Sequence, residues 1–183
     1  TIRGIARIVD RLTSRSTSII QQGLPLARWR GSVFDVRILM QRTTGGEWAL
    51  TKMFSRTAPA GSFTANLSRG GEGCRIDLLL RRVYGRYHTV IQRNLHAAGF
   101  EMAREIDEIV PGTVGELGLD LGIDRQGRIW LIEVNSKPFL QMTREAGSAR
   151  TLSLSVQRPL RFAKHLAGFD DAPRAHEERS GNA

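Results

Sequence analysis

The stretch GLDLGIDRQGRIWLIEVNSKP, residues 118–138, decides how this chain is read. Two apolar runs flank Asp124-Arg125-Gln126-Gly127, which is the pattern of a β-hairpin. Successive strand residues point to opposite faces, so Glu133 and Asn135 share one, about 7 Å apart along the strand. A four-residue turn with glycine last, as type I turns favour, pairs Asp124 with Gly127. Counting back sets Asp120 opposite Leu131, Gly118 opposite Glu133 and Glu116 opposite Asn135. Asp120, Glu133 and Asn135 then project to one side, with Asp120 diagonal to Glu133 at about 7–8 Å. Gly118 leaves room between them. A one-residue bulge at Gly127 would instead move Asp120 to the other face.

Leu119, Leu121, Ile123, Ile129, Leu131 and Val134 predict a strand pair buried on both faces. A charge there is costly without a partner. Two carboxylates and an amide are hard oxygen donors, with no His or Cys among them. They suit Mg²⁺ or Mn²⁺ and not Zn²⁺, and the arrangement predicts a metal–nucleotide site. The competing reading is a pair of solvated acids on an exposed hairpin.

Outward from this hairpin, VFDVRILMQ (33–41) alternates apolar and polar residues and EWALTKMFSR (47–56) returns after Gly45-Gly46. The pair predicts a second hairpin. SIIQQGL (18–24) reads as a short strand entering a connection, and GSFTANLSRGG (61–71) as a strand ending in a glycine loop. Ile91, Leu95, Ala98, Met102, Ile106 and Ile109 recur at steps of three and four, an amphipathic helix over about 88–110 that Pro111-Gly112 ends. A last helix is expected over 148–167, kinked or restarted at Pro159. Residues 1–17 are polar and basic with no clear period. Residues 170–183 lack sizeable apolar groups and are expected to be a disordered tail. Strands, a helix, strands and a helix make an α+β protein, with helices on one face of an antiparallel sheet.

The 183 residues suffice for one domain, and the 25% charged and 40% hydrophobic content is that of a globular chain. No apolar run reaches the roughly eighteen residues a membrane helix needs, and no leader opens the chain. Cys74 alone permits no internal disulfide, so a reducing cytoplasm is the expected location. Net charge is +9, carried by 27 basic residues of which only Lys52, Lys137 and Lys164 are lysines. Arginine grips phosphate through a bidentate fork. Because the arginines are scattered, a phosphate-bearing ligand is expected more than a nucleic acid.

Residues 118–138 resemble the closing motif of ATP-grasp ligases: an Asp, a Glu thirteen residues on, and an Asn two further. Enzymes such as D-alanine–D-alanine ligase, glutathione synthetase and RimK carry it. IIQQGL, FDVRILMQ and FTANLSRGG extend the likeness over residues 18–165 to RimK-like members. With EVNSKP the chain is most similar to the YheC/YheD branch, a bacterial group linked to endospore coats. The resemblance implies an ATP-grasp C-terminal lobe over 18–168, with 1–17 a remnant or linker and 169–183 a tail. It implies ATP and Mg²⁺ (or Mn²⁺) as cofactors. Asp120, Glu133 and Asn135 would be the metal ligands. Gln21, Gln22 and Leu24 would lie at the hinge that grips adenine, and Ile132 would pack under the ring. Arg56 and Asn66 would face the terminal phosphate or an acyl phosphate. Arg37 would support that site or instead orient Asp35 in an ion pair. Lys137 would reach substrate or phosphate, or be a solvated loop lysine. The Ser68-Arg69-Gly70-Gly71 loop would cradle phosphate with backbone N–H groups.

The implied activity is a carboxylate–amine or carboxylate–thiol ligase acting on a small-molecule or peptide carboxylate. The family's second lobe carries a lysine on the phosphates, which nothing before residue 18 matches. The chain is therefore expected to be truncated, cytoplasmic or spore-associated, and its status as an enzyme stays open. A non-catalytic remnant with a structural spore-coat role is the alternative, with a basic nucleic-acid-binding domain behind it. Arg81, Arg82 and Arg86 with Tyr84 and Tyr87 would form the latter's surface. No membrane partner is expected.

Overall fold

A computed structural model describes residues 2–13, 21–59, 71–138 and 148–169. Its elements in chain order are α1 (Ile2–Thr13), β1 (Arg28–Trp29), β2 (Ser32–Arg42), β3 (Trp48–Thr57), β4 (Glu72–Cys74), α2 (Ile76–Tyr84), α3 (His88–Ile109), β5 (Glu116–Ile123), β6 (Ile129–Asn135) and α4 (Ala149–Leu166). The sheet is antiparallel, in the order β4-β3-β2-β5-β6, with β1 paired to β2. The α+β architecture and both hairpins are as the sequence predicts.

Alternation along β2 builds two different faces. Phe34, Val36, Ile38 and Met40 join Leu117, Leu119, Leu121 and Ile123 of β5 in the core under α2 and α3. Gly99 of α3 sits so close to this face that a methyl there would lie 3.3 Å from the Met40 sulfur. The other face of β2 carries Asp35, Arg37, Leu39 and Gln41, which are polar apart from Leu39. The helices were expected together on one face. α2 and α3 are, and α4 lies across the far end of the polar face, where Gln41 Nε2 donates to the Ser155 carbonyl at 2.8 Å. That bond explains how α4 runs through Pro159 uninterrupted. Pro159 has no N–H for the carbonyl four residues back, and Gln41 supplies the missing donor. Arg158 adds a bond to Thr51 Oγ1 at 2.7 Å.

Three segments depart from the sequence expectations. Residues 21–24 are not a strand: Gln21 and Gln22 are exposed, and Pro25 cannot donate to a ladder. The segment meets the sheet only at Leu26 and Ala27, whose N–H bonds the Ile123 carbonyl at 2.9 Å. Residues 2–13 form α1, whose Ile5, Ile8 and Leu12 are all exposed. Finally, β6 is not buried on both faces. Among the described residues it is the sheet's edge strand, and Leu131 is 47% exposed. The expected tail, the strand at 61–70, Asn66 and the Ser68–Gly70 part of the glycine loop lie outside the described residues.

The register of β5 and β6 resolves the question that the turn raised. Gly127 does sit in a bulge, with φ +81°, and Asp124 N–H bonds the Arg128 carbonyl at 3.0 Å. Leu121 therefore pairs with Leu131, one place off the simple count. A second bulge, at Ile132, shifts the pairing by one more residue. Two slips of one restore the original face. Asp120 ends directly opposite Glu133, not diagonal to it, and Gly118 opposite Asn135.

Gly118 is not an open space. A β-carbon there would come 2.7 Å from Pro138 Cβ and 3.3 Å from Arg37 Nη1. The proline ring cannot swing aside as a flexible side chain would. Gly118→Ala is expected to cost about 1–3 kcal/mol by overpacking, measured by urea unfolding. A neutral result would mean that the 136–138 segment yields freely.

Candidate functional site

Four strands line up their side chains on the polar face. Arg56 of β3 lies opposite Asp35 of β2, which lies opposite Gly122 of β5 and then Trp130 of β6. The next row runs Phe54, Arg37, Asp120, Glu133. The third runs Lys52, Leu39, Gly118, Asn135. Directly opposed residues are about 5 Å apart at Cβ, so charges in adjacent rows meet.

They meet as an alternating chain. Arg56 donates Nε to Asp35 Oδ1 at 2.7 Å and Nη2 to Asp35 Oδ2 at 2.6 Å. Arg56 Nη2 also lies 3.0 Å from Asp120 Oδ2. Arg37 grips Asp120 in a second fork, through Nε to Oδ1 and through Nη2 to Oδ2 at 2.9 Å. Asp35, Arg56 and Asp120 are buried and Arg37 is nearly so, none of the four side chains being more than 12% exposed. Burial pushes the Asp35 carboxyl above its ordinary value, with Arg56 opposing the rise. Burial alone would lower the Arg56 pKa, and Asp35 and Asp120 outweigh it. Lys52, also buried on this face, has its pKa lowered by burial. Arg37 therefore pairs with Asp120 and not with Asp35, which pairs with Arg56.

A cleft of about 980 Å³ opens over the Asp35 end of this face. Gln21, Gln22 and Leu24 form one wall, Trp130, Leu131, Ile132 and Glu133 another, and Asp35, Arg56 and Asp120 lie among its lining residues. Seven of the sequence's candidates thus share one cavity. Leu26 packs onto Gly122, where a β-carbon would come 2.6 Å from its Cδ2, and this holds the 21–26 segment against β5. Arg37 stands beneath Asp120 and is not among the lining residues. Nor are half-buried Asn135 and exposed Lys137, which follow Glu133 along the chain.

Asp124 braces the turn that leads into Trp130 of the cleft. Its side chain is fully buried and accepts from the Gln126 and Arg128 N–H groups, the Arg128 guanidinium and the Trp130 indole. Burial would raise its pKa, but these donors prevail and hold it at about 2. Tyr84 donates to the Asp124 carbonyl at 2.9 Å, tying α2 to the turn. Asp35 lines the cleft without having been among the sequence's site candidates, and Asp124, which does not line it, braces Trp130, which does. The Asp-Arg-Gln-Gly-Arg turn is the signal that would have drawn attention to Asp124.

Among the described residues no group of three or more His, Cys, Asp or Glu side chains could hold a metal ion. The expected set differs from such a group, being two carboxylates and an amide. Its donor chemistry fits a hard divalent cation: Asp120 and Glu133 face each other across the hairpin, and Asn135 follows on the same side.

The antiparallel sheet with helices on both faces and a cleft at one end of its second face matches an ATP-grasp fold. The crystal structure of the C-terminal domain of K. lactis Pby1, an ATP-grasp enzyme interacting with the mRNA decapping enzyme Dcp2, superposes with a TM-score of 0.58. The match covers 96% of this chain and 56% of that one at 15% identity, and so bears on fold alone. The chain belongs to the YheC/D-like ATP-grasp family, whose model matches residues 1–166. It is similar to the endospore coat-associated protein YheD of Bacillus subtilis, 27% identical over 152 residues, 83% of this chain and 33% of that protein. It is also similar to the endospore coat-associated protein YheC of the same organism, 29% identical over 104 residues, 57% of this chain and 28% of that one. The chain thus spans about a third of the length of these curated relatives. No described helix is long and apolar enough to cross a membrane.

Proposed function

We propose that residues 18–168 are the nucleotide- and metal-binding lobe of an ATP-dependent ligase that joins a carboxylate to an amine or thiol. The observation that carries this reading is the single cleft gathering Gln21, Gln22, Leu24, Ile132, Arg56, Asp120 and Glu133. Residues 21–24 and Ile132, which line the cleft, would take adenine. Asp120, Glu133 and Asn135 would hold Mg²⁺ or Mn²⁺. A cation there supplies charge neutralisation for the phosphates. Arg56 lines the cleft with a permanent charge and meets the terminal phosphoryl group, with Asn66 as a further donor. Arg37 holds Asp120 in place. Lys137, exposed just past the ligand pair, reaches phosphate or the acceptor. The reaction class is acyl-phosphate formation on a small-molecule or peptide carboxylate, followed by displacement of phosphate by the amine or thiol. Spore association is proposed from the relatives' printed names.

Saturating Mg·ATP, at about a hundredfold over Kd, is expected to stabilise the chain by roughly 2.7 kcal/mol, a rise in Tm of about 5–10 °C. Glu133 is exposed, so Glu133→Gln is expected to leave intrinsic stability within about 0.5 kcal/mol. It should nevertheless abolish the Mg-dependent rise. A wild-type chain with no Mg·ATP shift would sink the ligase reading. Phosphate released from ATP on addition of a carboxylate separates an active lobe from a non-catalytic, nucleotide-binding coat component.

A further inference from the structure

We infer that the end of the helix layer where α2 meets α3 binds single-stranded nucleic acid, with arginines on its phosphates and Tyr87 stacked on a base. The residues that carry this surface do not line the cleft. The inference is independent of the nucleotide reading above.

The arginines are scattered along the chain, but the fold gathers several of them. Leu78 to Phe100 include Arg81, Arg82, Arg86 and Arg93 and no acid. All four arginines are exposed. The acids of α3 are Glu101, Glu105, Asp107 and Glu108, confined to its C-terminal half. A helix of 22 residues spans about 33 Å, so its two ends are well separated and opposite in charge.

Two other parts of the chain join the basic end. The Tyr84 hydroxyl donates to the Asp124 carbonyl at 2.9 Å. Ile91 packs on Gly127, where a β-carbon would lie 3.1 Å from Ile91 Cδ1. These contacts set the 124–128 turn, with its exposed Arg128, beside the junction of α2 and α3. The acid of that turn, Asp124, is buried and already engaged by Arg128 and Trp130. β1 packs beside α2. Just past it stands exposed Arg30, its guanidinium 5.2 Å from the Trp29 ring. Among the described residues Arg30, Arg81 and Arg86 have no carboxylate partner, whereas Arg37, Arg42, Arg56 and Arg75 each do.

Cations gathered without counter-charges attract a polyanion. The aromatic ring among them selects a single strand. Arg86 lies 5.0 Å from the Tyr87 ring, yet Tyr87 is 56% exposed. An exposed ring beside a guanidinium takes an unstacked base on its face. A duplex keeps its bases stacked on one another, and an acidic peptide has none to offer.

The experiment is fluorescence anisotropy of short labelled oligonucleotides of U and of dT with the intact chain, across a salt series. Both are expected to bind more tightly than a duplex or polyglutamate of the same length. A preference for either oligonucleotide supports the inference and tells RNA from DNA. Phosphate contacts from Arg30, Arg81, Arg86 and Arg128 predict a slope of log K on log salt of about −3. Arg81→Gln and Arg86→Gln are each expected to weaken binding about threefold or more and to flatten the slope by about 0.7. Tyr87→Ala is expected to weaken binding about fivefold or more and leave the slope unchanged, which a purely electrostatic surface would not show. If Tyr87→Ala does not fold, Tyr87→Leu serves, since it keeps the bulk without the flat ring. Arg104→Gln, at the acidic end of α3, should leave binding within about twofold. Saturating Mg·ATP should not displace the oligonucleotide. Absence of binding at low salt, equal binding of duplex or polyglutamate, or displacement by Mg·ATP overturns the inference. So does an Arg104→Gln effect equal to that of Arg86→Gln, or a ring substitution without effect.

Discussion

Arg56→Met is expected to destabilise the chain by about 3–5 kcal/mol, because it removes one partner of a buried ion pair and leaves the other uncompensated. Methionine fills the space but cannot answer the Asp35 carboxylate, which is surrounded by protein and held charged mainly by Arg56. The Asp35→Leu/Arg56→Met double variant should recover most of the loss, since it takes both charges out together. The single variant should also show a distinctive pH dependence. Asp35 already has a raised folded-state pKa from burial, and without Arg56 it rises further. A group with a raised folded pKa favours the folded state when protonated. The stability deficit should thus be greatest at neutral pH and shrink on acidification toward the ordinary value of 3.8. Urea unfolding across that range measures it. A loss under about 1 kcal/mol, the range of surface pairs, would mean that water reaches the pair.

The Asp35–Arg56 pair is 21 residues apart in sequence, and its absence from the sequence reading has a definite cause. Asp35 and Arg37 sit two apart on one strand, which makes them look like partners. Each in fact has a closer opposite number on a neighbouring strand: Arg56 for Asp35 and Asp120 for Arg37. Local spacing cannot reveal cross-strand partners whose register depends on a hairpin turn and its bulges. The site itself was more legible than the route to it. Asp120, Glu133 and Asn135 share a face as counted, but only because two bulges cancel. Gly127 announced the first, since a glycine after a tight turn suits a positive φ. Nothing announced the second, because Ile132 belongs to an unbroken β-branched and apolar run. The same run concealed that β6 is an edge strand. Apolar content predicts a strand but does not say whether another lies beside it. By contrast, α2 was legible and overlooked: Ile76, Leu79, Leu80 and Val83 follow the helical period, and the first three are its buried residues. The exposed apolar side of α1 also follows helical spacing, at Ile5, Ile8 and Leu12.

Asp120→Asn is expected to produce two losses where Glu133→Gln produces one. The two acids face each other across the hairpin, yet their surroundings differ completely. Glu133 is exposed on an edge strand, and neutralising it removes a candidate ligand without disturbing the fold. Asp120 is 8% exposed at its side chain, forked by Arg37 and touched by Arg56. Asparagine keeps the shape but not the charge. It offers one acceptor where Arg37 presents two donors, and it turns an amide N–H₂ toward a guanidinium. A hydrogen bond to a charged group contributes about 1.5–3 kcal/mol, and breaking a buried ion pair costs more. Asp120→Asn should therefore lower unfolding free energy by roughly 2–4 kcal/mol and also abolish Mg-dependent protection by ATP. Denaturation with and without Mg·ATP separates the two effects. A stability loss with nucleotide protection retained would make Asp120 an anchor for arginines and no metal ligand. Protection lost with stability intact would mean that the arginine bracket contributes nothing to the fold. Only the double loss matches a carboxylate that serves both, held by cations of the protein on one side and offered to a ligand's cation on the other.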